Sequence, residues 1–392
     1  MLNTIKSALF TPKFSLRNVM LSVMLGFLVS YLTLLVVYGA NDANAVVQSL
    51  FKGGFSDSKT IARLSDKIVV LGFAGLAVGF GMKAGLLNIG VSGQMTFSAF
   101  IAYLLVRKTG MTDVGSILVV GLITTVTVST AVAMISGVLK AMFKVNEVIS
   151  TIMMNWIVVY LVKFFASSTV KTADSSTISK FGGDITKNNI DLNGNWGSNY
   201  NATKNLISDD TIWNTWYLAI IGIVLFIITS LILWFLITKT SYGFKLQAVG
   251  KSGTASEYAG YNQKLHLIIA FGVSGALAGM AGFALFFLSS NLIPANTSPV
   301  NEGFFGIVVA LVGLNNPIGI MGSAILFGLI NGPTDGIILW GLPSNLIEIF
   351  TGIITYFVAI SSLWMYIRPI NKYKEWKLSK ASDGIEVKGG NI

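Results

Sequence analysis

The chain has 392 residues, of which 53% are hydrophobic and only 11% charged, with no cysteine, a single histidine (His266) and a formal net charge of +10. A soluble domain carries roughly 25% charged residues, so this composition excludes a soluble enzyme and a disordered chain. The missing cysteines exclude disulfides, thiolate catalysis and iron–sulfur clusters, and one histidine excludes a multi-histidine metal site. Long apolar runs without period-two alternation point to an all-α polytopic membrane protein rather than an outer-membrane barrel.

In chain order, residues 1–18 include Lys6, Lys13 and Arg17 and form a basic N-terminus, expected to be cytoplasmic. The apolar run 19–38 has the length needed to span and reads as a retained first helix rather than a removed signal peptide. A polar stretch occupies 41–67. Apolar segments follow near 68–82, 86–106, 114–139, 146–166, 214–238, 265–289, 303–314, 317–331 and 346–366, for about ten spans within a permease-like domain over 19–366. The tail 367–392 carries Arg368, Lys372, Lys374, Lys377 and Lys380. Both basic ends are expected inside, which requires an even number of spans. Ten spans also put Lys140, Lys144 and the basic loop 239–264 inside, and the polar loop 167–213 outside. Arg107 and Lys108 fall outside, against the trend.

Gly, Pro and Asn interrupt the apolar pattern at 81–94, 315–319 and 331–345. Backbone freed from helical bonding in lipid costs several kcal/mol per unsatisfied group, so such breaks persist only under protein or along a polar cavity. The stretch 83–95 alternates three glycines with Asn88, Ser92 and Gln94. It suits a broken element that lines a path for a polar, uncharged solute; it equally suits tight helix packing at glycines. In 144–156, Asn146 and Ser150 share a helix face. Glu147 fits the positive end of a helix dipole, and the deeper Asn155 needs a partner. With Asn315 and Asn316 of the later break, the candidate path residues are Asn88, Ser92, Gln94, Asn146, Glu147, Asn155, Asn315 and Asn316.

Gly250-Lys251-Ser252 is not a phosphate loop: the pattern needs a glycine where Lys245 stands, and no strand precedes it. Residues 254–260 can form a short helix ended by Gly260, suited to insertion into a groove on a partner or to a solvated surface. Gly275-x-x-x-Gly279 and Gly328-x-x-x-Gly332 read as helix-packing motifs, and His266 as interfacial. Asp335 and Glu348 read as helix-end carboxylates rather than proton carriers. Deep charges are otherwise scarce, which disfavours ion coupling through buried carboxylates and favours a neutral solute moved by energy supplied elsewhere.

Four stretches carry a resemblance: Gly85-Leu-Leu-Asn-Ile-Gly-Val-Ser-Gly-Gln94, Val145-Asn-Glu-Val-Ile-Ser-Thr-Ile-Met-Met-Asn155, Ala248-Val-Gly-Lys-Ser-Gly-Thr-Ala-Ser-Glu-Tyr-Ala-Gly260 and Gly306-Ile-Val-Val-Ala-Leu-Val-Gly-Leu-Asn-Asn-Pro-Ile-Gly319. In this order they resemble the signature segments of ABC-type permeases for nucleosides and simple sugars, within the branched-chain amino acid/ribose-type permease superfamily. Ser92 departs from the pattern, which usually has glutamate there. The resemblance implies a non-enzymatic membrane subunit in the bacterial cell membrane that works by alternating access. It implies pairing with a second permease, identical or a paralogue, a cytoplasmic ABC ATPase that holds ATP and Mg, and an extracytoplasmic substrate-binding lipoprotein. No cofactor on this chain and no nucleic acid are expected. The family's coupling loop maps onto Lys251, Thr254, Ala255, Ser256, Glu257, Tyr258, Ala259 and Gly260. The long loop 167–213 makes the nucleoside type the nearest in kind. Ribose-like sugars and riboflavin-like solutes are the alternatives within the class; an ion-coupled transporter and an intramembrane enzyme are the alternatives outside it.

Overall fold

The computed structural model describes residues 16–52, 58–109, 111, 114–168, 189–191, 212–289, 292–294, 299–331, 349 and 352–357. Its helices are α1 (Leu16–Tyr38), α2 (Ala40–Lys52), α3 (Ser58–Lys83), α4 (Val91–Thr109), α5 (Val114–Phe143), α6 (Glu147–Ser168), α7 (Ile212–Lys239), α8 (Ser241–Lys251), α9 (Gly253–Tyr258), α10 (Gln263–Phe283), α11 (Asn301–Val312) and α12 (Pro317–Asn331). α10 runs on into a wider π turn, Ala284–Ser289. Two three-residue strands, β1 (Asn189–Asp191) and β2 (Leu292–Pro294), pair antiparallel with Ile190 opposite Ile293. Among the described residues six helices are long and apolar enough to cross a membrane, and three shorter apolar helices, Val91–Val106, Asn301–Val312 and Pro317–Asn331, join them. This is the all-α polytopic architecture expected from composition.

The chain divides into two units, Met1–Val37 with Ile349–Ile392, and Tyr38–Glu348. In the first, Gly26 lets α1 approach the backbone at Ile354: a Cβ there would stand 2.9 Å from the Ile354 Cα. In the second, α3 and α10 are central. Their apolar windows are 83% and 72% buried, against 33%, 28% and 28% for α5, α6 and α7. The outer helices keep apolar stripes at helical spacing, such as Ile149, Met153, Trp156 and Tyr160 on α6, the arrangement that suits lipid contact.

Small residues bring the helices together, as the motif reading anticipated. On α10, a Cβ added at Gly275 would lie 2.7 Å from the Ser129 carbonyl oxygen of α5, and one at Gly279 would lie 2.8 Å from Val126 Cα. Ser129 Oγ donates to the Gly275 carbonyl at 2.6 Å, which ties the two helices where they touch. On α12, Gly328 packs on Ile68 of α3; Gly332 lies outside the described residues. Between α3 and α7, Phe73 and Phe226 meet edge to face at 5.4 Å.

Three boundaries differ from the sequence expectation. The stretch 41–67, read as polar connection, contains α2 and the first ten residues of α3. Ala62, Leu64, Ser65 and Val69 are buried there while Arg63 is exposed, so an amphipathic turn continues the helix although its charges break the apolar run. The third predicted span begins at Val91 rather than 86, because the chain is non-helical from 84 to 90. Finally, α11 and α12 have 12 and 15 residues, about 18 and 22 Å at 1.5 Å per residue. Neither covers a hydrocarbon core of roughly 30 Å alone.

Against α3 as a ruler, Gly306 faces Ala74 while Val309 and Ala310 face Gly75 and Gly79, so α11 runs parallel to α3. Ile320 meets Gly79 and Gly328 meets Ile68, so α12 returns antiparallel. The two make a hairpin turned at 313–316, where Leu314 and Asn315 take positive φ. The expected last span 346–366 lies outside the described residues except at 349 and 352–357. The break at 331–345 lies outside them beyond Asn331, as do Asp335, Glu348, the tail 367–392 and most of the loop 167–213.

Candidate functional site

After α3 the backbone leaves the helix from 84 to 90. Gly85 takes φ +73, a conformation glycine reaches without cost, and Leu86 N donates back to the Gly81 carbonyl at 2.9 Å. The chain then runs back along α3, with Leu86 O and Asn88 N against Gly81. Asn88 Nδ2 donates to Ser274 Oγ at 2.9 Å, and Ser274 Oγ donates to the Ala77 carbonyl at 2.7 Å. Ala77 is about 9 Å back from the end of α3, at 1.5 Å per residue. Ser92 stands against Gly303, one turn before the residue that faces Ala74. The helix α4 therefore starts within the thickness of the bundle and not at its surface, as the sequence break implied.

The amides that marked this stretch hold it in place. Asn88 Nδ2 also donates to Gln94 Oε1 at 3.1 Å, while Asn88 Oδ1 accepts from Gly90 N at 3.0 Å and Gln94 Nε2 at 3.3 Å. From α6, Asn155 Nδ2 donates to the Ile89 carbonyl and its Oδ1 accepts from Gly93 N, both at 2.8 Å. Thr151 Oγ1 accepts from Ile89 N at 3.4 Å. Ser92 Oγ donates to the Val300 carbonyl at 2.5 Å. Asn88, Ser92 and Gln94 have no exposed surface and Asn155 has 1%. The amide nitrogen and oxygen of the Asn88 side chain each make two hydrogen bonds, so the cluster is a buried brace of the break joining α3, α4, α6 and α10.

The other candidate path residues lie elsewhere. Asn146 is exposed at the start of α6, where its Oδ1 accepts from Val148 N at 2.9 Å. Glu147 sits in the first turn of α6 and pairs with Lys140 at 2.6 Å, which is the helix-end role its position suggested. Asn315 and Asn316 belong to the α11–α12 turn. Asn316 Oδ1 caps Ile318 N at 3.2 Å, while Asn315 Oδ1 is buried without a hydrogen-bond partner.

The loop between α7 and α10 folds into two short helices. Thr240 caps α8, and Ser252 ends α8 and begins α9, its Oγ accepting from Ala255 N at 3.4 Å. Gly260, with φ +82, closes the turn after α9. Ser256 faces inward and donates to the Gly253 carbonyl at 2.6 Å. Lys251, Thr254, Ala255, Glu257, Ala259 and Gly260 are exposed, and Tyr258 is 95% exposed. Behind it His266 Nδ1 donates to the Asn262 carbonyl at 2.8 Å, and its ring stacks on Tyr242 at 6.0 Å. Burial pushes the Tyr242 phenol above its ordinary range.

Sequence reasoning missed one feature. Lys67 of α3 and Glu302 of α11 form an ion pair at 2.9 Å, partly exposed, beside Asp66. Lys67 and Asp66 lie inside the apolar window Ile61–Lys83, although the composition of 41–67 reads as a polar connection. The signal was present as helical spacing of Ala62, Ser65 and Val69, but not as an apolar run.

With this geometry in place, the chain can be set beside known proteins. It matches the family model described as branched-chain amino acid transport system / permease component over residues 60–359. It is 29% identical over 375 residues to the nucleoside ABC transporter permease protein NupB of Lactococcus lactis subsp. cremoris, covering 94% of this chain and 96% of that one. It is 30% identical over 351 residues to the guanosine ABC transporter permease protein NupP of Bacillus subtilis, covering 87% and 92%. The glucose ABC transporter permease protein TsgB13 of Haloferax volcanii is 23% identical, with 77% and 76% covered. No solved structure matches. The matched region contains the braced break, the α8–α9 loop and the α11–α12 hairpin, and the chain belongs to the branched-chain amino acid transport system / permease component family of multi-pass membrane permeases.

Proposed function

We propose that this chain is the membrane-spanning half of an ATP-driven importer that takes up nucleosides by alternating access. The observation that carries this reading is the end-to-end likeness to a nucleoside and a guanosine permease, together with a projecting α8–α9 loop. In this reading α9 enters a groove on a cytoplasmic ABC ATPase, which holds the ATP and Mg. A second permease, identical or a paralogue, completes the pathway, and an extracytoplasmic lipoprotein delivers the substrate. The α8–α9 end of the bundle faces the cytoplasm, as do both termini, in the cell membrane of a bacterium. The braced break 84–94 forms a wall of the path, with Asn88, Gln94 and Asn155 as its internal fastening. The neutral, hydroxyl-rich ribosyl group of a nucleoside suits a path without a deep uncompensated charge.

The test is uptake of tritiated guanosine and uridine into vesicles holding the complex copurified with this chain, with ATP inside or absent. ATP-dependent uptake of either nucleoside supports the reading. Competition by ribose or riboflavin with no nucleoside uptake replaces the substrate. Uptake that survives ATP depletion and collapses with an ionophore replaces the mechanism with ion coupling.

A further inference from the structure

Gly85, at the foot of the break, and Gly250, in the last turn of α8, touch backbone to backbone. A Cβ on Gly250 would lie 2.5 Å from the Ala84 carbonyl carbon, 2.7 Å from Gly85 N and 2.8 Å from the Ala84 oxygen. A Cβ on Gly85 would lie 2.5 Å from the Gly250 oxygen and 2.7 Å from its Cα. The obstacles are main chain, so no rotamer change relieves them. Gly85 needs glycine for its φ as well; Gly250 has no positive φ, so close approach alone requires glycine there.

The contact joins two segments that sequence analysis treated separately. Gly250 is two residues before Ser252, which caps α9. Gly85 is three residues before Asn88, the centre of the amide brace. α8 is seated firmly behind the contact: Leu246 and Val249 are buried, and Gln247 Nε2 donates to the Ile237 carbonyl of α7 at 3.0 Å. Lys83 and Lys251 lie within Coulombic reach of one another. Their like charges push the segments apart, so what keeps the main chains together is the seating of α8.

We propose that Gly85–Gly250 is the joint through which displacement of α9 reaches the braced break, with Gly250 as its positioning residue. Main chain against main chain has no soft side chain between its two halves, so it passes a push with little loss. The α8–α9 helices and the segment 84–94 then move as one body. This rests on the reading of α9 as the ATPase contact.

Gly250→Ala tests it, with Gly322→Ala as control because a Cβ at Gly322 meets nothing within 4 Å. In the copurified complex, Gly250→Ala is expected to cut ATP-driven guanosine uptake by about tenfold while ATP hydrolysis stays within about twofold, as for a lost coupling. Uptake and hydrolysis falling together, or neither changing, overturns the joint. If Gly250→Ala fails to assemble, the double variant Lys83→Cys/Lys251→Cys decides, since the chain has no other cysteine. A joint that moves as one body crosslinks at the same rate with and without nucleotide. A nucleotide-dependent rate, or no crosslink at all, overturns it. Wild-type uptake without ATP refutes the importer reading instead, and that arm is read independently of either variant.

Discussion

Replacing Asn88 by leucine tests whether the amide cluster is a brace. The substitution removes two donors and two acceptor contacts from a site with no exposed surface. Gly90 N–H, Gln94 Oε1 and Gln94 Nε2 lose their Asn88 partners, and water cannot reach them. A buried polar group left unpaired costs about 1–3 kcal/mol. With three such groups and some re-pairing, the expected loss is about 3–6 kcal/mol, a large share of the roughly 5–15 kcal/mol that holds a folded protein together. Asn146→Leu is the contrast: it removes one exposed cap, worth about 1 kcal/mol. The assay heats purified protein in detergent and follows monodispersity, with yield and uptake per folded molecule measured on the same samples. Asn88→Leu should lose yield and thermal stability together, and its surviving molecules should transport. Unchanged stability with lowered uptake would refute the brace and place Asn88 on the surface that meets substrate.

Three further outcomes are expected. Ala255→Arg or Gly260→Arg should abolish substrate-stimulated ATP hydrolysis while the chain still inserts, because a large cation at either position would block the proposed seating of the small-residue α9 segment on the ATPase; unchanged stimulation in the reconstituted complex removes α9 as the ATPase contact. A cysteine at Ser252 should be shielded from an impermeant thiol reagent applied outside cells, whereas one at Ser198, outside the described residues, should react; the reverse pattern inverts the topology. Glu302→Gln should lower stability by about 1–2 kcal/mol, less than a fully buried pair would lose because Lys67 is partly exposed, and Lys67→Glu with Glu302→Lys should restore most of it in thermal unfolding; no recovery in the exchange means the ion pair is not what the substitution removed.

What the sequence made legible follows from the physics of each signal. Apolar length exposed α5, α7 and α10 because lipid demands uniform hydrophobicity over a full span. Glycine, asparagine and proline marked breaks at 81–94 and 315–319, which overlap the non-helical stretch 84–90 and the turn 313–316, since backbone that leaves a helix inside a bundle must be paired there. The short helix within 254–260 was visible from its closing glycine. Depth was not legible: α11 and α12 are apolar enough to read as spans, but hydropathy does not report that they fold back on α3 as a hairpin. Nor was the start of α3, where Arg63, Asp66 and Lys67 interrupt the apolar run although Ala62, Ser65 and Val69 keep the buried face. At the site, residue type located Asn88, Gln94 and Asn155 near the break. It could not separate them from Asn146, because an amide that fastens main chain and one that caps an exposed helix look the same in a string.

The way these amides are used constrains how the permease moves. A break lined by unpaired groups would be soft, and the natural place for a path to open. Here the break is fastened from three helices: by Ser274 on α10, itself anchored on the Ala77 carbonyl of α3, by Asn155 and Thr151 on α6, and by the Gly81 carbonyl of α3. Opening it in every cycle would unpair several buried groups at about 1–3 kcal/mol each, a cost comparable with the stability of the whole fold. Motion that leaves those bonds intact avoids that cost. The segments that can shift as units are therefore the braced break with the helices that grip it, and the close approach of Gly85 and Gly250 joins that unit to the α8–α9 loop, where the proposed push from an ATPase would arrive. In the proposed importer, alternating access would then be a displacement of rigid, internally bonded pieces against their neighbours, and the glycines at 85 and 250 would matter because they leave no compliant atoms between the piece that is pushed and the piece that moves.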